Sequence, residues 1–448
     1  MLSPDQAQAR CQALVERARA AGAEAADAVY SADASQSVRV RLGALEDVEA
    51  SESEHAGLRV FVGRGSATVG ATDLSDAALT ELAERAVAMA RAAPEDKFAG
   101  LAPAERLLQG APPALDLVGV EGFSPAELRA RAEQAEDAAR AVAGVTNSEG
   151  ASAGAGAAVL ALATSHGFAG GYATTSHSLS ASVVAGEGAG MQRDYAWRAA
   201  RHAGDLLTPE EIGRLAGERA VARLAPATLR SGPRPVVFDP RVAGSLVGHL
   251  LGAISGAAIA RKASFLLDRE GEQVFPPGTT IREDPHRPRG LRSRPFDGEG
   301  LATSPRALVE DGRLTGWLMD SASARQLGRE PTGHAARGHG GPPGVGASNV
   351  TFAPGSLSVA ELIADIADGV LVTELIGHGV NGVTGDYSRG ASGFRIVDGE
   401  IAGPVAGITV AGNLREMFAH LTAANDLEIY RGIDTPTLRI DGMTVAGE

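Results

Sequence analysis

Lysine is nearly absent from this 448-residue chain: Lys97 and Lys262 are the only two, and every other basic residue except histidine is arginine. So heavy a bias, beside abundant alanine and glycine, reads as a genome-wide preference and strips any single arginine of functional meaning. Cysteine is scarcer still. Cys11 stands alone, so no intramolecular disulfide can form, and the expected compartment is the reducing cytoplasm. Aromatic residues make up only 4% of the chain, whereas glycine supplies 57 residues, nearly double the usual share. A core of Ala, Val and Leu with many turns is expected. Basic charge is also short, 41 Lys and Arg against 55 Asp and Glu, giving a net charge of −14. A nucleic-acid binder would carry the opposite balance, so none is expected as a partner. No charged segment followed by a short apolar one opens the chain, so no secretory leader is expected.

What is present is the composition of a soluble globular protein, 44% hydrophobic and 21% charged, over a length suited to two or three domains. Ser3 and Pro4 open a helix on which Cys11, Leu14, Val15 and Ala18 share one face, making Cys11 a core residue. From Ala28 to Ala71 the period changes to two, with a Gly63-Arg64-Gly65 turn, which predicts an antiparallel meander. Ser75 begins a second helix carrying Leu79, Leu82, Ala86 and Met89, and Ser124-Pro125-Ala126-Glu127 is a capping box for a third. Residues 145 to 198, rich in Ser, Thr, Gly and Ala, read as strands. Thr208-Pro209-Glu210-Glu211 caps a further helix, and the prolines of 225–235 mark a boundary. The reading is an α+β chain: an N-terminal α/β domain over 1–228 and, over 229–448, a domain dominated by antiparallel strands with one buried apolar helix.

That helix is the uncharged stretch Val242 to Ala260, nineteen residues with Gly244, Gly248, Gly252 and Gly256 in one stripe. It would be about 28 Å long at roughly 1.5 Å per residue, enough by length to enter a bilayer. Four glycines and His249 argue for a buried interface helix instead, and no membrane association is expected.

The stretch Arg261-Lys262-Ala263-Ser264-Phe265-Leu266-Leu267-Asp268 follows it, and then, in order, Gly333-His334-Ala335, Val372-Thr373-Glu374-Leu375-Ile376-Gly377, Gly385-Asp386-Tyr387-Ser388-Arg389-Gly390-Ala391 and Ile408-Thr409-Val410-Ala411-Gly412-Asn413-Leu414. Over nearly its whole length the chain resembles the TldD/PmbA family, on the PmbA (TldE) side. The resemblance implies a two-domain subunit of a metallopeptidase that acts on unfolded or flexible peptides as a TldD–PmbA heterodimer around a cavity. In TldD the corresponding helix carries His-Glu-x-x-x-His and a later cysteine completes a zinc site, where a bound water is acidified and the glutamate takes its proton. Registered on Arg261-Lys262, those three positions are Gly248, His249 and Ala253, and no late cysteine exists. No cofactor is therefore expected in this chain; zinc is expected in a TldD-type partner.

Other residues are weaker candidates. His249 and His334 are the only catalytic candidates, and neither is compelling: an ordinary buried histidine explains the first and a glycine-rich loop the second. His334 and His339 have an H-x4-H spacing without the cysteine pair that zinc would need. The polar, glycine-rich stretch from Asn381 to Phe394 suggests a substrate-binding patch of Asn381, Asp386, Tyr387, Arg389 and Ser392, offering a strand edge to a peptide. The plainer alternative is a turn in which Asp386 pairs with Arg389. Gly150-Ala151-Ser152-Ala153-Gly154 matches a nucleophile elbow only by composition, since polar sequence precedes it where the motif needs a buried strand. Two functions remain open: a subunit that holds peptide for a TldD-type partner, and a catalytically silent homodimeric peptide-binding or regulatory protein, to which the family's modulator of DNA gyrase label would belong.

Overall fold

The computed structural model describes residues 1–119 and 122–447. In the first half of the chain, α1 (Pro4–Ala20), β1 (Ala25–Arg41), β2 (Ala44–Val62), β3 (Gly65–Ala71) and α2 (Asp76–Ala92) lead to α3 (Pro125–Arg140). β4 (Val145–Thr164), β5 (Ala169–Ala185), β6 (Gln192–Ala200) and α4 (Pro209–Ala222) complete it. All six strands form one antiparallel sheet in the order β3-β2-β1-β4-β5-β6. The meander and helix starts expected from the sequence are present. Ser3, Ser124 and Thr208 each close a capping box, and Ser75 caps α2 through the Ala78 N–H. Met89 is the exception, exposed on the solvent side of α2.

The strands are long, 20 residues in β4 or about 66 Å at roughly 3.3 Å per residue, so one face carries two helix pairs side by side. Ala26, Ala28, Tyr30 and Ala32 pack under α1 and α2, while Val38 and Val40 of the same strand pack under α3 and α4. Cys11 is buried there as a free thiol. On the opposite face Val29 and Leu162 meet Phe168 and Phe296, joining the sheet to the second half of the chain.

The second half opens with β7 (Gly232–Phe238), α5 (Pro240–Ala253) and α6 (Gly256–Ala260). Short elements follow: β8 (Ile281–Asp284), β9 (Arg306–Glu310), β10 (Arg313–Leu314), α7 (Ser321–Leu327), β11 (Ala335–Ala336), β12 (Gly344–Val345), β13 (Asn349–Phe352) and α8 (Val359–Ile363). Then come β14 (Asp368–Ile376), β15 (Asp386–Val397), β16 (Glu400–Asn413), α9 (Leu414–Ala419), β17 (Leu421–Ala423), β18 (Ile433–Asp434) and β19 (Leu438–Ala446). Strands order as β16-β15-β14-β7-β19-β17, and a further β16–β19 pairing closes this sheet into a barrel. β7 and β14 run parallel; the other barrel pairs are antiparallel. The architecture is α+β.

The apolar helix is shorter than its uncharged run. Asp239 caps α5 through the Arg241 N–H, and Ala243, Leu246, Val247, Leu250 and Ala253 sink into the barrel core. The helix stops at Ile254 because Leu318 bonds to the backbone on both sides of Ser255, its N–H to the Ile254 carbonyl and its carbonyl from the Gly256 N–H. Fourteen helical residues span about 21 Å at roughly 1.5 Å each, short of the ~30 Å of a bilayer core. Among the described residues no helix is long and apolar enough to cross a membrane.

Candidate functional site

The face of α5 turned away from the barrel core is the floor of a cleft. A Cβ added at Gly248 or Gly252 would meet nothing within 4 Å, so half of the glycine stripe packs against no other element and leaves open space. Gly256 differs, with Met319 and Ser323 atoms at 2.6 and 2.8 Å from where its Cβ would be. Over Gly248 and Gly252 lies a cavity of about 360 Å³ walled by His249, Phe265, His378 and Arg389. Arg389 also lines a second cavity, of about 560 Å³, beside Pro240 to Ser245 on the same helix. That cavity shares Arg193 and Tyr195 of β6 with a third, of about 480 Å³, on the first sheet near Arg39 and Ser152. The three form a chain of hollows from the open face of the first sheet to the middle of α5.

His249 projects from α5 with its ring edge-on to Tyr387, 6.0 Å between centroids. Three buried polar atoms here lack a protein partner: His249 Nε2, the Tyr387 hydroxyl and Arg389 Nε. Burial first, then the Arg389 charge, lowers the His249 pKa, keeping the imidazole neutral at pH 7. Burial pushes the Tyr387 hydroxyl up to about 12, so it remains a proton donor. A neutral imidazole and a guanidinium lining the cavity, each with a hydrogen-bonding atom unused, suit the amide groups of a peptide.

The larger cavity is rich in arginine. Asp194 accepts from Arg241 at 3.0 Å and from Arg223 at 3.4 Å, and Glu374 binds Arg223 on its other side. Burial works against ionisation of Glu374, but hydrogen bonding and charge from Arg223, with Ser392 and Arg193, hold its pKa below the usual carboxylate range.

The sequence candidates scatter. Of the five-residue patch, Arg389 lines the cleft, while Tyr387 is buried behind His249. Ser392 is buried beneath the larger cavity, accepting from Arg223 and donating to Glu374. Asn381 is exposed and spends its side-chain oxygen on the Val383 and Thr384 N–H groups. Asp386 bonds to Thr384 and Asn413, so the Asp386–Arg389 pair of the alternative reading does not form. Nor is there a free strand edge: β15 lies between β14 and β16 inside the closed barrel, and Gly379 caps its start by accepting from the Ser388 N–H. His334 is buried away from the cleft, its Nε2 on Glu283 at 2.5 Å and its Nδ1 on the Thr332 hydroxyl at 2.8 Å. His339 stacks on His55 instead, so the H-x4-H spacing brings no two ligands together. Ser152 sits within β4, with no helix after it. Sequence reasoning missed Arg193, Asp194, Arg223 and Arg431. They come from separate segments, and the arginine bias hid them.

The donors at α5 do not fit zinc. A protein zinc site takes three or four His, Cys or carboxylate ligands, whereas the cleft offers His249 and His378 beside a guanidinium that repels a cation. Among the described residues no three such side chains are grouped to hold a metal ion.

Fold and cleft together define an α+β protein, an open sheet joined to a closed barrel with a groove along the barrel helix α5. The chain belongs to the PmbA/TldD metallopeptidase family: its domain 1 matches residues 26–90, its central domain 120–224 and its C-terminal domain 231–447. The chain is 41% identical to metalloprotease PmbA of Escherichia coli O157:H7, over 95% of this chain and 93% of that one. A PmbA homolog of Haemophilus influenzae is 38% identical, over 97% and 94%. Among solved structures, a Bacteroides thetaiotaomicron protein carrying a DNA gyrase modulator label superposes over the full length of both chains, with TM-score 0.91 and 26% identity. TldE from Thermococcus kodakarensis shares the fold, with TM-score 0.86 at 21% identity over 98% of this chain and all of that one.

Proposed function

We propose that this chain is a PmbA/TldE-type subunit that holds an unfolded peptide in the groove along α5 while a TldD-type partner supplies zinc and cleaves it. The observation that carries this reading is the groove itself. Its floor is bare glycine, its wall presents unpartnered hydrogen-bonding groups, and the positions of the family's His-Glu-x-x-x-His motif hold Gly248, His249 and Ala253. Such a surface binds a peptide main chain without demanding a sequence. The subunit contributes half of the chamber and is metal-free by itself. A single buried thiol suits the reducing cytoplasm, where we place the assembly.

Co-expression with a TldD-type partner from the same genome tests this. The pair is expected to co-purify, to contain zinc and to cleave an unstructured peptide, while this chain alone binds the peptide and leaves it intact. Replacing the glutamate of the partner's His-Glu-x-x-x-His motif is expected to abolish cleavage; unchanged cleavage would refute the assignment.

A further inference from the structure

We propose that the arginine-lined end of the cleft is a subsite for a peptide carboxylate, either the terminal one or an Asp or Glu side chain close to it. The inference rests on the peptide-holding reading and adds the substrate chemistry. Six guanidinium groups border the 560 Å³ cavity, those of Arg193, Arg223, Arg241, Arg292, Arg389 and Arg431. Among the described residues two carboxylates border it: Asp194, engaged with Arg223 and Arg241, and Glu374, engaged with Arg223 and, at 3.9 Å, with Arg193. Among the described residues Arg292, Arg389 and Arg431 have no carboxylate within 4.0 Å, and the Nε atoms of Arg389 and Arg431 are buried without any partner.

In a chain of net charge −14, a local excess of positive charge with unpaired donors is costly unless an anion completes it. Guanidinium groups match a carboxylate in geometry, two N–H donors to two oxygens. A long polyanion such as nucleic acid would meet the repulsion of the whole acidic molecule; one carboxylate entering a pocket would not. The position of the subsite also fits. From Ser245 beside the arginines to Gly252 at the far cavity is about 10 Å along α5, or about three extended residues. A carboxylate held by Arg389 and Arg292 thus leads the main chain back over His249 and the glycine floor. The subsite would set the register of a peptide that the rest of the groove holds without regard to sequence.

The test uses the full chain and four fluorescent, unstructured octapeptides with Glu or Gln near the C-terminus, each as free acid or C-terminal amide, read by anisotropy. The Glu/free-acid peptide is expected to bind at least tenfold more tightly than the Gln/amide peptide. The two mixed peptides show which carboxylate is read. Arg292→Gln, which breaks no ion pair, is expected to remove the preference without weakening the Gln/amide peptide. Arg389→Gln is expected to remove the preference and, because Arg389 also walls the cavity over the glycine floor, to weaken the Gln/amide peptide as well, with thermal unfolding as the folding control for both. Equal binding of all four peptides within twofold overturns the subsite and leaves peptide holding intact. No binding of any peptide overturns both.

Discussion

Gly248 and Gly252 lower the stability of the helix they occupy, since glycine in a helix interior is about 0.5–1 kcal/mol less favourable than alanine. Nothing packs on them to require their smallness. Their value is the space above them. Gly248→Ala is therefore expected to raise stability by about 0.5–1 kcal/mol in urea unfolding, whereas Gly248→Leu or Gly252→Leu keeps the fold and weakens peptide binding at least tenfold. A destabilised alanine variant would show that the glycine is needed for packing. His334 is a residue of the opposite kind. The sequence placed it in a glycine-rich loop, and it is buried there on Glu283, a partner 51 residues earlier that no local pattern links to it. Burial works against Glu283, but the hydrogen bond and charge of His334 and the Ser348 N–H lower its pKa to about 2 from an ordinary 4.5. Its stabilisation is fully present above pH 4.5 and is lost as pH falls toward 2. Glu283→Gln should cost about 1–3 kcal/mol at neutral pH and flatten that acid limb in a stability-against-pH series; an unchanged limb would remove Glu283 as its source.

Elements whose signals are local were legible in advance. Caps at Ser3, Ser75, Ser124 and Thr208, and the two-residue period of β1 to β3, act over a few residues and so can be read from the sequence. The break in α5 at Ser255 could not be, because it is made by Leu318 from more than sixty residues away. Closure of the barrel by β16 on β19 is equally non-local, and pairing of β15 with β14 and β16 removed the strand edge that Asn381 to Phe394 had suggested. Contact between the first sheet and the second half of the chain depends on buried charge. Asp27 of β1 binds Arg59 of β2 at 2.8 Å and Arg337, and Arg59 reaches Glu299 at 3.3 Å. Burial alone would raise the Asp27 pKa, but Arg337 and Arg59 bring it below the ordinary value. Asp27→Ala would leave two buried guanidinium groups without their shared partner, and a loss of roughly 3–5 kcal/mol is expected in denaturant unfolding. A loss below 1 kcal/mol would mean that the carboxylate is dispensable to the junction.

At the scale of the whole molecule the acidic surface and the basic cleft are complementary features of one design. Net negative charge disfavours nucleic acid, while the arginines gathered from β6, the end of α4, α5, the β8–β9 connection, β15 and the segment before β18 create a local field of the other sign. The family was legible from ordered motifs spread over the second half of the chain, and the cleft's arginine end was not, because no short window contains it. The account makes this chain the metal-free, peptide-holding member of a zinc peptidase. Elemental analysis of the full chain, expressed without a partner and purified without added metal or chelator, tests that claim most directly. Zinc near zero per chain is predicted; zinc near one per chain would contradict it and make His249 and His378 the candidate ligands.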